Sequence, residues 1–310
     1  MDELRVPVVR NRLRDAAHSG EFAAIRAELH RRGVDDAALV AWVAAVSDVA
    51  DSQAPLLRLR GEMLGGSDAR PFLFERYALL VAAAQRVADL SVLPLPEDVV
   101  QLLLEELVWL AAPRDTELKW FEAGGYIFSA LCKIVTLRRF PAGHLHWEIS
   151  GFPRSAFLRA SGFDRVRLAS AVMRMGGFAP TIVPHNPWRK APLVMLERQQ
   201  HLSFYRMAVA MERQPAIRGF VAQSWFHAPD VHKVSPHLAW VNRVFHEWGG
   251  VVVDAGPAGP DSGVFQGGEA RRRLVEAGQY EPRLGLVVWP RRAMLRWASH
   301  YARVGLQAAG

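Results

Sequence analysis

Residues 217–254 read IRGFVAQSWFHAPDVHKVSPHLAWVNRVFHEWGGVVVD. The first ten are dominated by apolar and aromatic side chains and read as a strand over 217–226. Pro236 then opens a helical pattern over 236–248, since proline's fixed φ and missing N–H suit a first helical turn. Gly249 and Gly250 stop it, and the run Val251-Val252-Val253 reads as a second strand over 251–254. Strand, connection, helix, strand is the repeating unit of a layered sheet domain.

Working outward, the same texture continues on both sides. Strands are predicted at 144–150, 181–184 and 284–289, with helices at 155–175, 192–213, 269–277 and 291–307. Together these predict a mixed-sheet domain with flanking helices, α+β or α/β in class. The chain before it is different. Apolar residues recur at three- and four-residue spacing over 16–32, 35–49, 72–90, 98–111 and 116–137, with Asp35 and Asp36 placed to start one helix and Pro94, Pro96 and Pro113 to stop others. The expected organisation is therefore a helical region, 1–137, followed by an α/β domain, 138–310.

Composition narrows the function classes. Half of the 310 residues are hydrophobic and 22% are charged, which excludes a disordered or low-complexity chain. One cysteine, Cys132, excludes an intrachain disulfide and a cysteine-rich zinc site. The opening MDELRVPVVRNRLRD has no apolar core of a secretory signal, and no apolar run approaches membrane-spanning length. A cytoplasmic protein with no membrane partner is expected. Charge is uneven: 1–137 carries 15 basic and 20 acidic residues, net −5, and 138–310 carries 23 and 11, net +12. Twenty-one of those 23 basic residues are arginine, the side chain suited to bidentate phosphate or carboxylate contacts. A phosphate-bearing donor, or a nucleic acid such as tRNA, fits that half. Packing of the acidic part on the basic part would also account for it.

The densest polar stretch is GHLHWEIS, 143–150. Side chains alternate on a strand, so His144, His146 and Glu148 would share one face. Two imidazoles and a carboxylate are metal-ligand or acid–base vocabulary, and His146-Trp147-Glu148 has the H-x-E spacing of a facial iron triad, with His185, His227 and His246 available as a third ligand. The plainer reading is a half-buried strand with a solvated polar face.

Other reactive types fall at strand ends, where open sheets bind ligands. Glu148, His185, Ser224, His227 and Asp254 are the candidate catalytic residues on that ground. A second candidate is the run from Gly256 to Arg273, GPAGPDSGVFQGGEARRR. Glycines entering a helix let backbone amides approach phosphate, and arginines add charge. Gly263, Gly267, Gly268, Arg271 and Arg272 are thus expected to hold the phosphates of a donor. Late tryptophans beside arginines, such as Trp225, Trp240 and Trp297, suit either a core or the stacking of nucleic-acid bases.

The strand–loop–helix–strand order of 217–254 resembles the central part of GNAT-type acyltransferases. That resemblance implies an acyl donor lying between splayed strands, with amides gripping its phosphates. The family's Q/R-x-x-G-x-G/A loop is replaced here, between His227 and Pro236, by HAPDVHKVSP; relatives that use aminoacyl-tRNA need not keep it. The leading expectation is an acyl- or aminoacyl-type transferase acting on a small molecule. His227 or His185 would be its base, and Ser224 or backbone amides would stabilise the oxyanion. A metal-dependent enzyme of the non-haem iron oxygenase type, and a non-enzymatic module binding an anion and a protein, are the alternatives.

Overall fold

The computed structural model describes residues 4–48, 71–112, 126–160, 162–187, 196–259, 262–265 and 269–304. The chain divides into two units, Met1–Pro141 with Pro187–Lys190, and Ala142–Asn186 with Ala191–Gly310.

The first unit is built by helices α1 (Val6–His18), α2 (Ala23–Arg31), α3 (Asp36–Asp48), α4 (Pro71–Arg86), α5 (Glu97–Ala111) and α6 (Tyr126–Val135). Four-residue spacing puts Val9, Leu13 and Ala17 of α1 on one buried stripe. Aromatic contacts tie the helices: Trp42 lies 5.0 Å from Phe74 and 5.7 Å from Phe128 between ring centroids. Arg76 is 3% exposed, and its guanidinium donates to Glu21 at 2.9 Å and to the Ala112 carbonyl at 2.8 Å, which satisfies a buried charge.

The sheet strands are β1 (Arg139–Pro141), β2 (His146–Ser150), β3 (Thr181–His185), β4 (Gly219–Ser224), β5 (Val251–Pro257) and β6 (Arg283–Pro290), in the order β1-β2-β3-β4-β6-β5. Neighbours β2/β3, β4/β6 and β6/β5 run antiparallel, and β3/β4 runs parallel. The protein is thus of mixed α+β class, a helical region followed by a six-stranded mixed sheet with flanking helices. Helices α7 (Ala156–Arg159), α8 (Gly162–Arg174), α9 (Glu197–Arg213), α10 (Val231–Val234), α11 (Arg243–Glu247), α12 (Glu269–Glu276) and α13 (Arg291–Val304) belong to this part.

Alternation along the strands sorts two cores. Val221, Leu286, Val288, Val251 and Val253 pack with Phe152, Leu168, Val172 and Met175 on the side of α7 and α8. Phe220 and Trp289 face the other way and pack with Phe204 of α9, Phe245 of α11 and Trp297 of α13 at centroid distances of 5.2–6.4 Å. Arg291 closes the end of α9: its guanidinium donates to the carbonyls of Gln214 and Ile217 at 3.0 and 2.9 Å.

The sheet order is a new finding, and two helix expectations change. Strand β6 lies between β4 and β5, so the strands of 217–254 are not neighbours; the parallel pair is β3 and β4, with α9 as the connecting helix. The helix expected over 236–248 is a 3-10 turn, Pro236–Leu238, followed after a turn over 239–242 by the short α11. The helix expected over 155–175 breaks into α7 and α8, with Gly162 at φ +51° at the joint.

Candidate functional site

Pairing of β3 with β4 is confined to Thr181–Gly219 and Ile182–Phe220. Both strands run on beyond it, β3 to His185 and β4 to Ser224. Pro184 supplies no N–H for a longer ladder. A cavity of about 40 Å³ opens between the carboxyl halves, lined by Pro184, His185 and Asn186 from one strand and by Ala222, Gln223 and Ser224 from the other. Its apolar wall is Leu145, Phe204, Phe220 and Phe226, and its remaining polar lining is His144, Gln200 and His227. At this size the cavity takes a water or the reacting end of a longer ligand entering from outside, with polar groups converging on an apolar wall.

Four of the sequence-derived candidates meet here. His185 and Ser224 line the cavity at the ends of the parting strands, and His227 closes it from the turn after β4. Glu148 reaches His185 across the antiparallel β2/β3 pair: its Oε1 lies 3.4 Å from His185 Nε2. His146 pairs directly with His185 and Glu148 with Val183, so His146, Glu148 and His185 share one face. The His185 and Glu148 side chains are 26% and 15% exposed, sheltered but reachable.

His227 is set differently. Its ring is buried, which drives its pKa from 6.5 down to about 4 against the opposing hydrogen bond to Asn242. Nδ1 lies 2.8 Å from Asn242 Oδ1, and Asn242 Nδ2 donates to the His227 carbonyl at 3.2 Å. An amide oxygen only accepts, so Nδ1 carries the hydrogen and Nε2 is left as the acceptor. His227 is a neutral, oriented hydrogen-bond acceptor at physiological pH.

His144 and His146 were expected to alternate on one strand with Glu148 as metal ligands. His144 instead lies in the turn before β2, with its N–H donated to Ser203 Oγ at 3.1 Å, and it lines the cavity. Gly143 shapes that turn at φ +99°, where Arg206 lies 2.6 Å from the place of a Cβ. His144 and His146 are 7% and 2% exposed, so they form no solvated face. Among the described residues no group of three His, Cys, Asp or Glu side chains stands ready to hold a metal ion.

Asp254 does not join the cavity. It lies on β5, where its Oδ2 accepts from Arg283 Nε at 2.7 Å and its Oδ1 accepts the Gly256 N–H at 2.8 Å. The expected phosphate loop also differs. Gly267 and Gly268 lie outside the described residues, and Gly263 starts a 3-10 turn. Arg271 points inward: it donates to the Val264 carbonyl at 2.7 Å and to Ser235 Oγ at 3.2 Å, and lies 4.0 Å over the Trp225 ring. That guanidinium fastens the loop onto the domain. Arg272 stays on the exposed side of α12.

Sequence reading missed Gln200 and Asn242. Gln200 and Ser203 sit on the buried stripe of α9 with Phe204, Met207 and Met211. Two polar residues within an apolar stripe were the available signal. Asn242 had none, because its role depends on a contact fifteen residues away in sequence.

No family model and no curated protein matches the chain. Among solved structures it is similar to an acyltransferase in complex with decanoyl-CoA, at 15% identity and a TM-score of 0.45, over 93% of this chain and all of that one. It is also similar to an acyltransferase in complex with decanoyl-CoA and teicoplanin, at 16% identity and a TM-score of 0.45, over 77% and 76% of the two chains. An acyltransferase in complex with CoA and a teicoplanin derivative is similar at 16% identity and a TM-score of 0.44, over 73% and 68%.

Proposed function

We propose that residues 138–310 form an acyltransferase domain that holds an extended acyl thioester between β3 and β4 and transfers the acyl group to a small nucleophilic acceptor. The observation that carries this reading is the Glu148–His185 pair at the mouth of a cavity where two parallel strands part. Backbone amides on parting strands can pair with an extended donor, as a partner strand would.

Magnitudes choose the base. Protonating His227 near pH 7 would cost about 4 kcal/mol, given its depressed pKa. His185 faces a carboxylate that stabilises the imidazolium, so it is the better base. In this scheme the acceptor's amine or hydroxyl attacks the thioester carbonyl carbon. Its proton passes to His185, the tetrahedral oxyanion is met by Ser224 or strand amides, and the C–S bond breaks. The departing thiolate takes the proton back. His227 Nε2 accepts a hydrogen bond from a bound substrate and orients it.

A phosphate-bearing carrier such as CoA, or aminoacyl-tRNA, suits the net +12 of this region. The test is release of free thiol from acetyl-CoA and decanoyl-CoA in the presence of amine acceptors, read with a thiol reagent. Cys132 gives no background, because it is fully buried and burial pushes its thiol well up. His185→Ala should lower kcat by about 100-fold or more and Glu148→Gln by about tenfold. Failure of the wild type to bind any acyl thioester or acyl-tRNA sinks the reading.

A further inference from the structure

Helix α8 is apolar on two opposite faces. One buries Leu168, Ala171 and Val172. The other carries Phe163, Val166 and Met173, which are 76%, 62% and 73% exposed. Their spacing sets them on one stripe. Leu158 on α7 is 84% exposed, and the half-exposed Phe178 stands edge-on to Phe157 of α7 at 5.7 Å. Grouped exposed apolar side chains mark a surface made to be covered.

Charge says what covers it. Residues 154–174 contain Arg154, Arg159, Arg165, Arg167 and Arg174 against Asp164 alone. Asp164 is already engaged: its Oδ1 accepts from Arg167 at 2.9 Å, and its Oδ2 accepts the Asp254 N–H at 3.1 Å. Arg165 and Arg174 are rooted on the carbonyls of Ala160 and Gly249, at 2.8 and 3.2 Å, which holds their charge beside the apolar stripe. The face is an apolar strip within a positive frame. A second copy docked by the same face would set arginines against arginines, which opposes self-association.

We propose that the α7–α8 face rests on an anionic membrane surface. Leu158, Phe163, Val166 and Met173 enter the boundary between headgroups and acyl chains, and the arginines lie among the lipid phosphates. The attachment is peripheral and, resting on arginine–phosphate contacts, salt-sensitive; no helix among the described residues is long and apolar enough to cross a membrane.

Co-sedimentation of the full chain tests this, with vesicles of phosphatidylcholine alone and of phosphatidylcholine with phosphatidylglycerol in equal parts. Binding to the anionic vesicles should be at least about tenfold stronger, and should weaken with added salt. Phe163→Ser with Met173→Ser should lose about tenfold or more on those vesicles. Arg154→Gln with Arg159→Gln should lose a similar factor on anionic vesicles only. Both pairs are exposed, so each variant should melt with the wild type. Equal, weak sedimentation with both vesicles, or wild-type binding by both double variants, overturns the proposal. So does a wild-type dimer at sedimentation equilibrium that Phe163→Ser dissociates, since the face would then belong to a second copy.

Discussion

A side chain at Gly285 would occupy the space taken by the carbonyl of His227. A Cβ built on this β6 residue overlaps the His227 C and O atoms and comes within 2.6 Å of the Ala228 nitrogen. Gly285 also pairs with Ser224 on one side and Asp254 on the other. The turn that carries His227 into the cavity therefore rests on bare backbone.

Gly285→Ala should displace that turn. The expected loss is about 1–3 kcal/mol in urea unfolding, the range for an overpacked interior. The proposed acyl transfer should fall with it, because His227 and Ser224 both line the cavity beside that turn. A variant with wild-type stability and activity would show that the turn yields freely.

Stability should depend on pH through His227. Unfolded, its pKa is 6.5; folded, burial holds it at about 4. Between those values the unfolded chain binds the extra proton. Stability is therefore complete above about 6.5, falls as pH drops, and levels off below about 4, for a contribution of about 3 kcal/mol. His201 and His246, both lowered by burial, act in the same direction. Unfolding free energies near neutral pH and near pH 4 should show the slope, and His227→Gln should make it shallower.

Asn242 is expected to act through His227. Asn242→Ala removes two hydrogen bonds and should cost about 1–3 kcal/mol. Asn242→Asp puts a carboxylate beside the ring, which favours the imidazolium and should raise the His227 pKa. Proton NMR titration of the imidazole would follow that shift upward from about 4. An unchanged midpoint would mean the side chain at 242 does not face Nδ1.

Arg271 and Arg272 should separate cleanly. Arg271→Ala strips Val264, Ser235 and Trp225 of their common partner and should lower stability by about 2 kcal/mol. Arg272→Ala should leave stability within about 0.5 kcal/mol, as surface changes do. Binding of inorganic phosphate or CoA, measured calorimetrically at low salt, should not change in Arg271→Ala protein that is still folded. A large loss of affinity there would return the loop to the site.

Much of the fold was legible because periodicity is local. The described helices before 138 and the strands β2 to β6 each carry their own spacing of apolar residues; 116–125 of the helix expected over 116–137 lie outside the described residues. The breaks were not legible. The expected 236–248 helix is broken by a turn over 239–242, and β1 is too short for a pattern. Of the candidate site, His185, Ser224, His227 and Glu148 stood out because reactive types fall at strand ends. Arg271 misled, since a guanidinium looks the same in sequence whether it meets phosphate or lies over Trp225.

The sequence alone determined most of the helices and strands among the described residues, and which residue types were available for chemistry. These follow from spacing and backbone preference over a few neighbouring residues. Strand order was decided only in three dimensions. So were the parallel β3/β4 pair that parts after two residue pairs, the Glu148–His185 contact across a strand pair, and the neutral state of His227. Each of these is a relation between segments distant in the chain. Pairing, electrostatics and desolvation act through space, so their outcome waits on which surfaces the fold brings together.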